Sequence, residues 1–160
     1  MIRNAAEKDF PEWLRLRKLL YPEDSAELLQ SEITKIYHEK SVVGELDYFV
    51  LVYSTMQDKL AAFIETSLRA RVQQCNTSPV GYIESLYVDK DYRNKGIATE
   101  LVNQSEHWVR TNGCSEFVVD TDPEYTEAIS FYRKLGFREI RRSSEEVLLK
   151  KTLKPFIRIT

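Results

Sequence analysis

The chain has 160 residues, which fits one compact domain, and its charged fraction of 30% and hydrophobic fraction of 42% are those of an ordinary folded protein. These values exclude disordered and collagen-like classes. The formal net charge is −2, with Lys and Arg spread along the chain, which argues against a binder of duplex nucleic acid because such proteins need a concentrated basic face.

Cysteine and histidine usage indicates neither a disulfide framework nor a metal site. The chain has Cys75 and Cys114, far apart in the sequence, and two isolated histidines, His38 and His107. No apolar run reaches the roughly 20 residues that span a bilayer, and the charged N-terminus is unlike a secretory signal. We therefore expect a soluble, cytoplasmic protein without a metal or a membrane partner.

Hydrophobic periodicity predicts a strand, two helices and a hairpin in the N-terminal half. Residues 1–4 form a short strand, Asp9 is the expected N-cap of the first helix, and Ser25 opens the second. The second helix carries one apolar stripe, formed by Leu28, Leu29, Ile33, Ile36 and Tyr37. The β-rich runs 47–54 and 60–68 predict the hairpin.

The C-terminal half predicts strands that alternate with helices. The expected elements are a strand at 81–88, a helix at 96–109, a strand at 117–120, a helix at 126–135 and closing strands at 138–142 and 145–153. This order implies one α/β domain over residues 1–160, with a sheet that is antiparallel for much of its width. Residues 154–160 alternate polar and apolar side chains, as expected of an extra strand or of a tail exchanged with a second subunit.

A glycine opens the central helix directly after a basic turn. The segment 81–101 runs from an apolar strand through Arg93 and Lys95 to Gly96. Unsatisfied N–H groups and the positive dipole end at a helix start suit a pyrophosphate. The segment has neither a Walker loop nor a Gly-x-Gly-x-x-Gly fingerprint. A plain strand-to-helix turn, in which the glycine serves packing, is the alternative.

A second motif follows one strand and one loop later. The run Arg-x-x-Gly-x-Ala at 93–98 and the run Ala-x-x-Phe-Tyr-x-x-Leu-Gly-Phe at 128–137 together resemble the GCN5-related N-acetyltransferase superfamily. The resemblance covers nearly the whole chain. It implies an α/β (α+β) fold whose mixed, mostly antiparallel central sheet has helices on both faces. It also implies acetyl-coenzyme A as the cosubstrate, without a metal.

Within that superfamily, the chain is similar to the aminoglycoside 6′-N-acetyltransferases. Three segments carry this similarity: Tyr21-Pro22, the run 75–80 that leads to Glu84, and the run 120–124. It implies direct acetyl transfer to a cationic small-molecule amine, the 6′-amino group of an aminoglycoside, in a homodimer. The alternative substrate is a metabolite amine, a protein N-terminus or a lysine. The alternative class is a coenzyme-binding sensor without turnover.

The resemblance implies three catalytic residues, and each has a structural alternative. Glu84 would bind or deprotonate the amine, Asp120 would help to hold the cation, and Tyr132 would protonate the departing thiolate. Glu84 interrupts an apolar strand, where a charge is costly unless it is paired or functional. Structurally, Glu84 could instead pair with Arg69, Asp120 could cap the next helix, and Tyr132 could be a core aromatic.

The resemblance also implies the residues that contact each substrate. The coenzyme contacts are Leu86, Tyr87, Val88, Arg93, Asn94, Lys95, Gly96, Ile97, Ala98, Thr99, Tyr125 and Tyr132. The amine contacts are Tyr21, Glu23, Arg71, Glu84, Asp120 and Tyr125. The loop at 21–24 could equally be a solvated connection between helices. Arg71 and Arg141 depart from the family pattern, because an arginine facing the pocket would repel a polycation.

Overall fold

One mixed sheet of seven strands organises the chain, of which the computed structural model describes residues 1–154 and 156. The strands lie in the order β1-β2-β3-β4-β5-β7-β6, and β4 pairs with β5 in parallel while the other pairings in this part of the chain are antiparallel. Their bounds are β1 Ile2–Asn4, β2 Asp47–Ser54, β3 Leu60–Arg69, β4 Val80–Val88, β5 Glu116–Thr121, β6 Arg138–Arg142 and β7 Val147–Thr152. The predicted mixed, mostly antiparallel sheet is confirmed.

Four α-helices connect the strands in the predicted order. They are α1 Phe10–Leu20, α2 Ala26–Thr34, α3 Ile97–Thr111 and α4 Thr126–Lys134. The side chain of Ser25 accepts a hydrogen bond from the Leu28 N–H, as expected of the N-cap of α2. A π-helical turn, Lys35–Glu39, continues α2. None of the helices in the described residues combines the length and the apolar character that a membrane crossing requires.

The helices pack on both faces of the sheet because neighbouring strand residues point to opposite sides. Val52 and Phe63 join the core formed with α1 and α2, which contains Trp13 and Leu16. The next residues in each strand pack under α3 and α4, in a second core that includes Leu51, Ala62, Ile64, Leu101 and Phe137. The predicted arrangement of helices on both faces is confirmed.

Two local expectations for the first helices are met only in part. Asp9 occupies the N-cap position of α1 as predicted, but a 3₁₀ turn at Glu7–Asp9 already makes the chain helical there, so its carboxylate accepts from the Ala6 N–H and pairs with Arg3 rather than capping α1. Leu28, assigned to the apolar stripe, is 47% exposed. Leu29, Ile33 and Ile36 occupy the buried face, and Leu28 lies about 100° from Leu29 around the helix.

Gly81 lies where β4 passes closely beneath α3. A Cβ atom added there would lie 2.6 Å from one methyl carbon of Val109 and 3.1 Å from the Phe117 ring. Because both neighbours are fully buried, neither can move freely. We expect Gly81→Ala to lower the free energy of unfolding by about 1–3 kcal/mol, measured by urea denaturation. Equal midpoints for Gly81→Ala and wild type would contradict the close approach.

Glu116 holds the loop between β3 and β4 against the sheet. Its side chain accepts hydrogen bonds from the backbone N–H groups of Asn76 and Thr77 at 2.9 and 2.8 Å, and it pairs with Lys150 at 2.9 Å. Despite the opposing effect of burial, these donors lower the pKa of the Glu116 carboxyl to about 2. The loop therefore depends on an ionised Glu116.

Acid should release this loop contact. Because the folded-state pKa of Glu116 lies below its usual value of 4.5, the stabilisation is complete above that pH and is lost as the pH falls towards 2. We expect Glu116→Gln to cost about 3 kcal/mol of unfolding free energy at pH 7 and much less at pH 2.5. Urea unfolding at both pH values measures this difference. Glu145→Gln, at an exposed residue, is the control, and a cost independent of pH would contradict the account.

The prediction of an extra strand or an exchanged tail concerns residues 154–160. Lys154 and Phe156 are described: the carbonyl of Lys154 accepts a hydrogen bond from Arg110 at 2.8 Å, and the Phe156 ring lies 4.2 Å from the Arg110 guanidinium carbon. The rest of the predicted extra strand or exchanged tail lies outside the described residues.

Candidate active site

An opening forms where β4 and β5 separate. Their parallel pairing joins Gly81–Ile83 to Phe117–Val119, whereas β4 continues to Val88. The next β4 residues line a cavity of about 250 Å³ together with Asp120 and Tyr132. Since N–H groups of a strand alternate in direction, some of those beyond Ile83 face this opening rather than a β5 carbonyl. They are the backbone donors available to a carbonyl oxygen placed in the opening.

The start of α3 forms the floor of a second cavity, of about 320 Å³. It is lined by Val88, Tyr92, Arg93, Asn94, Gly96, Ile97, Ala98, Thr99 and Phe131. Gly96 precedes the helix with φ +81°, in the left-handed region, and a Cβ there would meet nothing within 4 Å. Glycine is therefore favoured by the turn conformation, not by crowding from the protein. The turn leaves the first N–H groups of α3 without intrahelical acceptors.

A groove joins the turn at Gly96 to the opening between β4 and β5. Arg93 lines both the helix-start cavity and the groove, and its Nε donates to the Val88 carbonyl at 2.8 Å. The groove then shares Leu20, Tyr125 and Ala128 with the opening. Leu86, Tyr87 and Val88 line successive parts of this route. An extended ligand with an anionic end fits the resulting path, which we call the coenzyme groove.

Tyr132 lies at the inner end of the coenzyme groove. The centroid of its ring lies 5.1 Å from that of Phe131 and 5.5 Å from that of Phe137, so Tyr132 is also a core aromatic. Burial, with smaller contributions from Asp120 and Tyr21, raises the pKa of its phenol. The hydroxyl consequently keeps its proton at neutral pH and can donate to a group in the opening.

Glu84 stands on a β-bulge at the same place. The register pairs Glu65 with Ser85 and Thr66 with Ile83, which leaves Glu84 as the extra residue of β4. Its carboxylate accepts hydrogen bonds from Ser67 at 2.6 Å and from two guanidinium nitrogens of Arg69 at 2.8 and 2.7 Å. The structural partnership with Arg69 is therefore present, and Glu84 nevertheless lines the opening.

Two opposing effects set the protonation of Glu84. Burial raises the pKa of its carboxyl, and the nearby Glu45 adds to the rise. The Arg69 guanidinium and the Ser67 hydroxyl lower it, but the net pKa stays above the usual value. A raised pKa brings a carboxylate closer to the range in which it can exchange a proton with an amine.

A third cavity, of about 280 Å³, reaches Glu84 from the side of α1 and α2. We call it the acidic cavity because its lining carries more carboxylates than guanidinium groups: Asp24, Glu32, Glu45, Glu65 and Glu84 against Arg17 and Arg69. It shares Tyr21, Glu84 and Ser85 with the opening between β4 and β5. The Tyr21 hydroxyl is hydrogen-bonded to that of Ser85. The two cavities thus meet at Glu84.

Asp120 is tied to β4 by a tyrosine. Its carboxylate accepts a hydrogen bond from the Tyr82 hydroxyl, and the turn into α4 is instead held by Asp122, which accepts from the Glu124 N–H at 2.8 Å. Asp120 is therefore not the helix cap that was the structural alternative. The Asp120 carboxylate raises the pKa of the Tyr82 phenol further beyond the effect of burial. Asp120 lines the opening with Glu84.

Not every sequence-predicted residue reaches these cavities. Arg71 lines a separate cavity in the loop between β3 and β4, and Arg141 is bound to Gln73 and Glu146. Exposed Glu23 lies outside the lining residues of all three cavities described above, whereas its neighbour Asp24 lines the acidic cavity. Lys95 lies beside Tyr92, with its Nζ 5.3 Å from the ring centroid.

Sequence reasoning did not assign a site role to Ser67, Arg69, Tyr82 or Ser85. The available signal was alternation along the strands, since Tyr82 stands two residues before Glu84 and therefore on the same face. Arg69 was named only as a structural partner. Its place between Glu84 and Tyr82 follows from the register of β3 with β4.

Comparisons with known proteins agree on one family. The family model described as the acetyltransferase (GNAT) family matches residues 10–137. An aminoglycoside N(6′)-acetyltransferase type 1 from Acinetobacter genomosp. 13 is 36% identical over 142 residues, covering 88% of this chain and 92% of the relative. Another of the same description, from Klebsiella aerogenes, is 29% identical over 140 residues, covering 88% of this chain and 90% of the relative.

Solved structures lead to the same group. The aminoglycoside 6′-N-acetyltransferase of Acinetobacter haemolyticus has a TM-score of 0.79 at 30% identity and covers 89% of this chain and 94% of its own. A second enzyme of this kind was solved with the bisubstrate analogue CoA-S-monomethyl-acetylneamine. It has a TM-score of 0.79 at 26% identity and covers 89% of this chain and 93% of its own. This chain belongs to the GNAT family and is an acetyl-coenzyme A-dependent N-acetyltransferase, similar to the type 1 aminoglycoside 6′-N-acetyltransferases.

Proposed function

We propose that the protein transfers the acetyl group of acetyl-coenzyme A to the 6′-amino group of an aminoglycoside, by direct attack in a ternary complex. The observation that carries this proposal is the meeting of two cavities at Glu84. The coenzyme groove arrives from the start of α3, and the acidic cavity arrives from α1 and α2. A thioester and a cationic amine can therefore approach one carboxylate from different sides.

The coenzyme groove supplies the two functions that a bound coenzyme requires. The helix start at Gly96 offers N–H groups and a positive dipole end to the diphosphate, with Arg93 adding positive charge. Leu86, Tyr87 and Val88 would carry the extended arm, and Tyr125 would cover it. When bound, acetyl-coenzyme A supplies an activated acetyl group, and the residues that would hold it line one path.

The residues at the junction suit the proton transfers of acetyl transfer. An ammonium has no lone pair, so Glu84 takes a proton from the amine, directly or through water. N–H groups of β4 beyond Ile83 stabilise the negative charge that grows on the thioester oxygen. The Tyr132 hydroxyl then donates to the departing thiolate. Holding both substrates at one place contributes much of the rate.

The charge of the acidic cavity and the similarity to aminoglycoside acetyltransferases both support a polycationic substrate. The carboxylates of the acidic cavity outnumber its guanidinium groups, and Asp24 and Glu45 are free of arginine partners within the described residues. Relatives that cover 88% of this chain are aminoglycoside N(6′)-acetyltransferases. Aminoglycosides carry several ammonium groups, which complement such a lining.

A second substrate class is favoured by the pairing of Glu84 with Arg69. The positive charge next to the proposed base opposes the approach of a multiply charged amine. A metabolite amine, a protein N-terminus or a lysine, each with fewer charges near the reacting nitrogen, would meet less repulsion.

Release of free thiol from acetyl-coenzyme A tests these functions. The assay compares a 6′-amino aminoglycoside with an aminoglycoside that has a 6′-hydroxyl group in its place, and with polyamines, amino acids and peptides. We expect rapid release with the first compound and none above background with the second. Faster release with a metabolite or a peptide would replace the aminoglycoside assignment. Coenzyme binding without release on any amine would indicate a sensor.

A further inference from the structure

Arg69 is the positively charged side chain closest to the proposed base. It is the last residue of β3, and its Nε and Nη2 atoms lie 2.8 and 2.7 Å from the two carboxylate oxygens of Glu84. The side chain of Arg69 is 34% exposed and lines the acidic cavity. A guanidinium stays protonated throughout the working pH range, so this charge is permanent.

The guanidinium is fixed in position by an aromatic ring as well as by the carboxylate. Its central carbon lies 3.6 Å from the ring centroid of Tyr82, whose hydroxyl donates to Asp120. Arg69 therefore connects the two carboxylates at the opening, Glu84 and Asp120. A bidentate pair combined with stacking leaves little freedom for the side chain to turn away from an approaching cation.

The same contacts leave one place on Glu84 for a substrate. Its Oε2 atom accepts from the Ser67 hydroxyl and from Arg69 Nε, which occupies both lone pairs. Its Oε1 atom accepts from Arg69 Nη2 alone, so one lone pair remains. A single amino group can bind there, and any second ammonium close to it would lie beside the guanidinium.

The other carboxylates of the acidic cavity differ in how far their charge is offset. Arg17 pairs with Glu65 and Glu32, at 2.8 and 3.0 Å, and so offsets part of their charge. Glu45 accepts the backbone N–H groups of Val42 and Val43, and it stays without an arginine partner within residues 1–154. Glu45 lies near enough to Glu84 to raise the pKa of its carboxyl, and Asp24 adds a further negative charge from the connection between α1 and α2, whereas Arg69 offsets the charge of Glu84 itself.

We propose that Arg69 is a specificity-determining residue for acetyl transfer, selecting amines whose other positive charges lie far from the reacting nitrogen. This inference rests on the proposed function, since it concerns which cationic amine reaches Glu84. An ammonium farther from Glu84 meets Asp24, which has no arginine partner within the described residues, and is favoured. An ammonium near the reacting nitrogen meets Arg69 and is disfavoured.

The test compares two aminoglycosides that differ only near the reacting amine. Kanamycin B carries a 2′-amino group on the ring that bears the 6′-amino group, and kanamycin A carries a 2′-hydroxyl group there. The kcat/KM ratio of kanamycin B to kanamycin A is measured by thiol release for wild type, Arg69→Gln and Arg69→Lys. Titration calorimetry on the complex with coenzyme A gives the same ratio for binding.

We expect Arg69→Gln to raise this ratio about tenfold, mainly through KM, because the repulsion acts on binding. Arg69→Lys, which keeps the charge without the bidentate contact, should leave the ratio near the wild-type value. Arg138→Gln removes the same charge from an exposed residue of β6, on the far side of β5 and β7, and controls for net charge. High salt should reduce the difference between wild type and Arg69→Gln.

The outcomes separate this inference from the function on which it rests. Turnover with an unchanged ratio in Arg69→Gln would overturn the inference alone, and so would an equal change for both compounds, which is what a purely structural role predicts. A similar change in Arg138→Gln would also overturn it. Neither turnover nor binding of either aminoglycoside by wild type would overturn the substrate assignment and the inference together.

Discussion

Glu84→Gln is expected to lower kcat/KM for the amine by about a hundredfold. The substitution keeps the size of the side chain and removes the proton acceptor from the junction of the two cavities. It also breaks the ion pair that holds Arg69, leaving an uncompensated positive charge where the amine must bind. Both effects act on the amine, and neither changes the residues at the start of α3.

A binding measurement and a control variant separate this loss from unfolding. Titration calorimetry with coenzyme A should give a dissociation constant within about twofold of wild type, because the helix-start cavity does not include Glu84. Glu139→Gln is the matched control, since it removes another arginine-paired glutamate from β6, outside the three cavities. A Glu84→Gln protein with wild-type kcat/KM would refute the proposed base.

Tyr132→Phe is expected to lower kcat by about a hundredfold with little change in either KM. The aromatic packing against Phe131 and Phe137 survives in the variant, whereas the donor to the thiolate is lost. The raised pKa of the Tyr132 phenol keeps it protonated, so we expect no loss of wild-type activity from its ionisation below pH 9.

The control for Tyr132→Phe is another loss of a phenol hydroxyl. Tyr37→Phe alters a tyrosine packed against the core of α1 and α2, and its steady-state constants should match those of wild type. An increase in KM for coenzyme without a change in kcat would show that Tyr132 serves binding rather than proton donation.

Local sequence signals predicted the fold and the glycine turn that opens α3. These signals are the glycine before α3, the basic turn and the apolar periodicity. Each depends on a few neighbouring residues, so it can be recognised without the tertiary structure. The left-handed turn at Gly96, with φ +81°, adds a conformational reason for glycine to the expected approach of a ligand.

The pairing of Glu84 with Arg69 was anticipated as a structural alternative, but the contact with Ser67 and the bulge at Glu84 could not be derived in the same way. Arg69 meets it through the antiparallel register of β3 and β4, and the bulge at Glu84 shifts that register by one residue. A one-residue shift changes which side chains share a face, and no local pattern records it. Arg71 lies in the loop cavity because β3 ends at Arg69, two residues earlier.

A crystal structure with coenzyme A and a 6′-amino aminoglycoside tests the central claim most directly. The account predicts diphosphate oxygens about 3 Å from N–H groups at the start of α3, with the thiol reaching the junction beside Tyr132 and the 6′-nitrogen bound to Glu84 from the acidic cavity. A diphosphate held elsewhere, or a thiol end remote from Glu84, would contradict it.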